Sequence, residues 1–187
     1  MKISALSGVL IAASCILSVQ APANAQDLSP ELRAKLPVVS LAGQAKLRFF
    51  GFAVYQASLW VSPGFSESAY EQSSFALDLA YLRDFKGADI AQRSIAEMRR
   101  QAPMTAAQEA AWEGQMRALF PNVQKGDRIT GVHQPGTGAV FWSNGRLLGA
   151  VRDPVFAKLF FGIWLSAQTS EPALRRALLA QAKGAAP

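Results

Sequence analysis

Large apolar side chains alternate with smaller or polar ones along Phe75, Ala76, Leu77, Asp78, Leu79, Ala80 and Tyr81. That period marks a strand whose aromatic face looks inward. Apolar runs over 38–42 and 46–62 predict two further strands, the second long and bent at Gly51, because a glycine interrupting such a run signals a bulge or a close backbone approach. The polar stretch from Ser62 to Ser73 reads as a connection. Caps mark the helix starts. Ser29-Pro30-Glu31 opens a short helix ending near Leu36, Asp89 with Gln92 opens one to about Arg100, and Thr105 with Gln108 opens one to about Leu119, ahead of Pro121. A strand over 128–133 follows, and Asn144-Gly145 supplies the two positive φ angles of a type I′ hairpin turn. Asp153 then caps a helix over 154–165, with Pro154 at the first helical position, where the missing N–H has no partner to lose; a last helix spans 170–183. This order of strands, helices, strands and helices predicts an α+β fold, an antiparallel β-sheet with helices packed on one face.

Residues 1–25 stand outside that pattern. Lys2, an apolar run from about Leu6 to Val19 and the small residues Ala23-Asn24-Ala25 compose a secretory signal peptide cut before Gln26. One domain over 26–187 is then expected in the periplasm or outside the cell. The alternative, an uncleaved membrane anchor, is opposed by an apolar run shorter than the roughly 20 residues a spanning helix needs. Cys15, the sole cysteine, lies in this segment, so the mature domain has no disulfide and no thiol nucleophile or ligand. Lipid attachment at Cys15 is opposed by the apolar residues that continue past it. Half of the chain is hydrophobic, which excludes a disordered protein and suffices for one core.

Of 19 Lys and Arg, Lys2 leaves with the signal peptide, so 18 face 13 Asp and Glu, a surplus of +5. Such a surplus can serve nucleic acid or an anionic surface. Here the charges are dispersed, and the densest group, Arg93, Arg99 and Arg100, reads as the solvated face of one amphipathic helix; neither a nucleic-acid partner nor a membrane span in the mature chain is expected. With one histidine, no His pair can hold a metal. His133 reads as a hydrogen-bonded strand residue or, given an ordered partner, a general base. Pro135-Gly136-Thr137-Gly138 lacks the spacing and following helix of a phosphate loop. No catalytic residue, metal or cofactor is assigned. Phe156, Phe160, Phe161 and Trp164 recur at helical spacing, so their helix is buried on more than one side, by sheet and helix or by a ligand.

Three blocks carry a family resemblance: Leu47 to Trp60 (LRFFGFAVYQASLW), Phe75 to Phe85 ending in Tyr81-Leu82-Arg83-Asp84-Phe85, and Gly131 to Val151 running into the helix from Pro154. Together they resemble bacterial chalcone isomerase-like proteins from about Leu41 to Leu178. The resemblance implies the chalcone isomerase fold, an open-faced β-sandwich whose cleft lies between sheet and helices. It places Arg48 and Tyr55 on the strand lining that cleft, where a guanidinium beside a phenol can hold a carboxylate or phenolate oxygen. Their odd separation puts them on opposite faces of a regular strand, and a bulge at Gly51 would bring them to one face. The plainer alternative is that Arg48 is a surface residue and Tyr55 a core aromatic. The ligand-binding set expected is Arg48, Tyr55, Tyr81, Phe160 and Trp164. Compared with the flavonoid-pathway isomerases, the strand arginine corresponds to Arg48 or Leu47 and the strand threonine to Tyr55. The helix pair falls near Ile90 and Glu97 and the late hydroxyl near Ala157. Ile90 and Ala157 cannot make the polar contacts those enzymes use. The resemblance therefore implies a non-catalytic protein holding a small amphipathic or aromatic ligand, such as a fatty acid. The alternatives are an isomerase or lyase acting on a phenolic or enone substrate, and an interaction module of the cell envelope.

Overall fold

The structure, a computed structural model, describes Leu36 and residues 39–182. The expected signal peptide, all of the first helix but Leu36, and Lys183 at the end of the last helix lie outside the described residues. Six strands, β1 (Ser40–Phe49), β2 (Phe52–Val61), β3 (Phe75–Tyr81), β4 (Arg128–Gln134), β5 (Gly138–Ser143) and β6 (Arg146–Val151), form one antiparallel sheet in sequential order. Among the described residues four α-helices accompany it, α1 (Gly87–Arg99), α2 (Ala106–Leu119), α3 (Pro154–Leu165) and α4 (Pro172–Leu178), and a 3-10 helix, Glu67–Gln72, lies within the polar connection after β2. The α+β class and its antiparallel sheet are as the pattern predicts.

Two sequence expectations about the early strands are corrected. The apolar run 46–62 is not one bent strand: Phe50 and Gly51, at φ 47° and 79°, form a tight turn that pairs Phe49 with Phe52. Positive φ at both turn positions matches the twist of the flanking strands. Phenylalanine does not announce such a turn, so Gly51 alone reads as a bulge. The real irregularity is Val54, an extra residue on β2 between the pairs Leu47–Tyr55 and Arg48–Ala53. The break expected after residue 42 is likewise absorbed into β1 as a shift between Leu41 and Gly43.

Helix ends divide into local and tertiary cases. Thr105 and Gln108 form the reciprocal capping box that starts α2. Asp153 accepts from the Val155 and Phe156 N–H groups at the start of α3, and its other oxygen accepts from Trp112 Nε1 at 2.9 Å, tying α2 to α3. By contrast, α1 starts at Gly87, not at Asp89, and the Gly87 N–H donates to Asn122 Oδ1 at 3.0 Å. That cap comes from the loop after α2 and is invisible to a local motif. The last helix stops at Leu178, short of the expected 183.

Alternation sorts the sheet into two faces. Tyr55, Ala57, Leu59, Phe75, Leu77, Leu79 and Tyr81 point toward the helices and join the main core with Phe156, Phe160, Phe161 and Trp164 of α3. Gly131 on β4 lets α3 settle: a Cβ there would sit 3.1 Å from Phe161 and 3.2 Å from Phe141. The opposite face holds a smaller cluster, Trp60, Ala76, Val132 and Trp142 with Leu36. Beside it Asp78, 3% exposed, accepts from Thr130 Oγ1 at 2.7 Å and pairs with Arg128.

Candidate functional site

At the β1–β2 end of the sheet the core does not close. A cavity of about 340 Å³ lies between the sheet and the helices, within the ~300–1,000 Å³ typical of small-molecule pockets. Its floor is Leu47, Tyr55, Leu79, Tyr81 and Ile129, all helix-facing by strand alternation. Phe160, Ile163 and Trp164 of α3 form one wall, and Ile90, Arg93, Ser94 and Glu97 of α1 another.

Of the five residues expected to bind ligand, the structure brings four together. Tyr55, Tyr81, Phe160 and Trp164 line the cavity, and Arg48 does not. The turn at Phe50-Gly51 places Arg48 and Tyr55 on separate strands, where Leu47 is the residue opposite Tyr55. Arg48, its neighbour, therefore faces the other side of the sheet. It is exposed, with Nη1 donating to the Gly51 carbonyl at 3.3 Å. The expected convergence of Arg48 and Tyr55 on one face is thus corrected: a turn at Gly51 reverses the chain, whereas a bulge would only have shifted its parity.

The polar groups of the cavity are two phenols, three carboxylates, one guanidinium and the hydroxyls of Ser94 and Ser170. Tyr55 Oη accepts a hydrogen bond from Trp164 Nε1 at 2.9 Å, across 109 residues of chain. Its own proton meets no acceptor among the described residues, and neither does that of Tyr81, whose ring lies edge-on to Tyr55 at 6.1 Å. Burial pushes both phenols well above the usual tyrosine range; for Tyr55 the Trp164 N–H partly offsets this, and the Glu171 and Glu97 charges add to it. Both therefore stay protonated donors. A buried donor without an acceptor costs free energy, so a ligand that brings an acceptor to these phenols would relieve the site.

Arg93 is the cavity's cation, and its Nη2 is paired with Glu97 Oε1 at 2.6 Å. Asp89 and Glu171 also line the cavity, so three carboxylates and one guanidinium share the lining, and Glu97 is paired as well with Arg100 Nε at 3.7 Å. Arg93 therefore faces the cavity and not only solvent, a site residue that the amphipathic reading of its helix does not reveal. The available signal is that Ile90, Arg93, Ser94 and Glu97 recur at i, i+3, i+4 and i+7, one stripe of a helix. Glu97 and Ile90, the two α1 positions singled out by the resemblance, both reach the cavity, whereas Ala157 is packed in the core away from it. His133 is also remote from it. Its Nδ1 lies 2.8 Å from the Ser73 carbonyl, its ring stacks on Phe75 at 4.8 Å, and burial lowers its pKa. Among the described residues no group of His, Cys, Asp and Glu could hold a metal ion, and no helix is long and apolar enough to cross a membrane.

A family model described as chalcone isomerase-like matches residues 26–180. Among solved structures, the fold is similar to that of a fatty-acid binding protein from Arabidopsis thaliana. That likeness has a TM-score of 0.63 and 12% sequence identity, over 79% of this chain and 90% of the plant protein. No curated protein matches the sequence.

Proposed function

This chain belongs to the chalcone isomerase-like family, and we propose on that footing that it is a non-catalytic binding protein holding a small amphipathic ligand, such as a fatty acid, between sheet and helices. The observation that carries this reading is the pair of buried phenols, Tyr55 and Tyr81, whose protons meet no acceptor among the described residues, set between an apolar floor and the aromatic wall of α3. They receive the head group, while Phe160, Trp164 and the aliphatic floor receive the tail. The fold it shares with a fatty-acid binding protein supports the same reading.

The charge around the cavity refines the head group. Asp89, Glu97 and Glu171 oppose Arg93, which Glu97 already engages. A full negative charge is disfavoured there, so an uncharged acceptor, or a carboxylic acid carrying its proton, suits the site best. Ile90 stands at a cavity position where the isomerases of the resemblance have a polar residue, which argues against ring closure.

Calorimetric titration with a fatty acid and a fatty alcohol of equal chain length tests the reading, alongside a chalcone cyclisation assay. Saturable binding of either lipid, with cyclisation no faster than the uncatalysed reaction, is the expected result. Robust cyclisation that Tyr55→Phe abolishes would establish the isomerase alternative. The reading extends to location: export to the periplasm or beyond, with cleavage before Gln26, rests on Lys2, the apolar run from about Leu6 to Val19 and the small residues Ala23-Asn24-Ala25. An intact mass of the exported protein that includes any part of residues 1–25 would refute it.

A further inference from the structure

Five large hydrophobic side chains are exposed among the described residues, and three of them, Phe49, Phe50 and Phe52, occupy the single turn between β1 and β2. Phe50 is 86% exposed, Phe52 61% and Phe49 54%. Phe50 is held there at φ 47°, a conformation that disfavours a bulky side chain, and it packs edge-on to Phe49 at 4.5 Å. An exposed aromatic cluster on an irregular turn marks an interaction surface more often than chance exposure.

Charge identifies what the surface fits. The Arg83 guanidinium lies over the Phe52 ring at 4.8 Å, and Lys46, Arg48 and Lys86 are exposed on the adjoining strand and loop. Asp84, the carboxylate nearest in sequence, accepts a hydrogen bond from the Lys125 N–H. Aromatic rings projecting from a collar of cations match a bilayer interface, where rings enter the acyl boundary and cations stay with anionic head groups. Phe49 also lines the cavity, as do Leu47 and Val54 at the base of the same hairpin, so the tip and the cavity are continuous.

We propose that the hairpin tip Phe49–Phe52 docks the protein on an anionic phospholipid bilayer and sets the cavity against the membrane surface. Docking stands on the tip alone; passage of a lipid between membrane and cavity rests on the ligand-binding reading above.

The test uses the protein as recovered after export and vesicles of phosphatidylcholine with or without phosphatidylglycerol, with no fatty acid added, so its outcome is independent of cavity binding. Phe50→Ser with Phe52→Ser should weaken co-sedimentation with the anionic vesicles by about tenfold or more while leaving the melting temperature unchanged. Both arms share the same N-terminal residues, so their difference reads the tip. In a separate Phe50→Trp variant, emission should be quenched by brominated lipids in the anionic vesicles beyond any quenching of the four native tryptophans in the wild type, and added salt should reduce that excess. Equal sedimentation of the double variant and the wild type, or a Phe50→Trp variant quenched no more than the wild type, overturns the proposal. Self-association that the double serine variant abolishes, without vesicle binding, overturns it in favour of a second copy of this chain.

Discussion

Replacing Tyr55 with Phe removes one oxygen and keeps the ring that packs edge-on to Tyr81 at 6.1 Å. Two separable losses follow. Trp164, 5% exposed, is left with an indole N–H that has lost its acceptor. Stranding a buried donor costs about 1–3 kcal/mol, and for a chain of this size each kcal/mol lowers the melting temperature by about 2–4 °C. The ligand in turn loses one neutral hydrogen bond, worth about 0.5–1.5 kcal/mol, or roughly two- to tenfold in affinity. Differential scanning calorimetry of the empty protein measures the first loss and isothermal titration with a long-chain alcohol the second. A companion Trp164→Phe variant and the double variant close a thermodynamic cycle, in which coupling of about 0.5 kcal/mol or more is expected for directly bonded partners. If Tyr55→Phe melts with the wild type, binds the alcohol equally and shows no coupling to Trp164, the hydrogen bond does not organise the cavity and the head-group assignment fails.

Affinity for a fatty acid should rise as pH falls, because a ligand that takes up its proton no longer brings a negative charge to a cavity lined by three carboxylates and one guanidinium. The matching alcohol should bind independently of pH up to about 10, since burial keeps Tyr55 and Tyr81 protonated where free tyrosine begins to ionise; titrations across pH that show the fatty acid binding more tightly in alkali would instead make Arg93 an anion anchor. Arg48→Ala should leave lipid affinity in solution within about twofold of wild type, its guanidinium lying outside the cavity; a tenfold loss by titration would contradict the register of β1 on β2. Burial lowers the His133 pKa, so the unfolded chain binds the proton more readily: stability should fall as pH drops below about 6.5 and on through the lower folded value, and His133→Gln should flatten that part of the melting-temperature profile. Asp78→Ala should lower stability by about 1–3 kcal/mol in urea melts, through the loss of Thr130 and Arg128, without altering lipid affinity, since Asp78 lies on the opposite face of the sheet.

Where an element depends on a few neighbouring residues, the amino-acid sequence determined it alone. Phe75 to Tyr81 reads as a strand because alternate side chains must share a face. Asn144-Gly145 is a turn because both residues tolerate positive φ, which the structure places at 49° and 80°. Thr105 and Asp153 start helices because each side chain reaches a backbone N–H two or three residues on. These interactions are complete within one turn of chain, so periodicity and caps suffice to read them. Tertiary structure alone decided the rest of the site. Which residue faces Tyr55 depends on a turn that Phe50 adopts against its own preference, and a one-residue difference in strand register exchanges Leu47 for Arg48. The start of α1 depends on Asn122, 35 residues away. Whether the Arg93–Glu97 stripe meets solvent or the cavity depends on how α1 rotates against the sheet. The bond between Tyr55 and Trp164 joins the second strand to the third helix, and a contact of that range exists only once the whole sheet has brought its ends together.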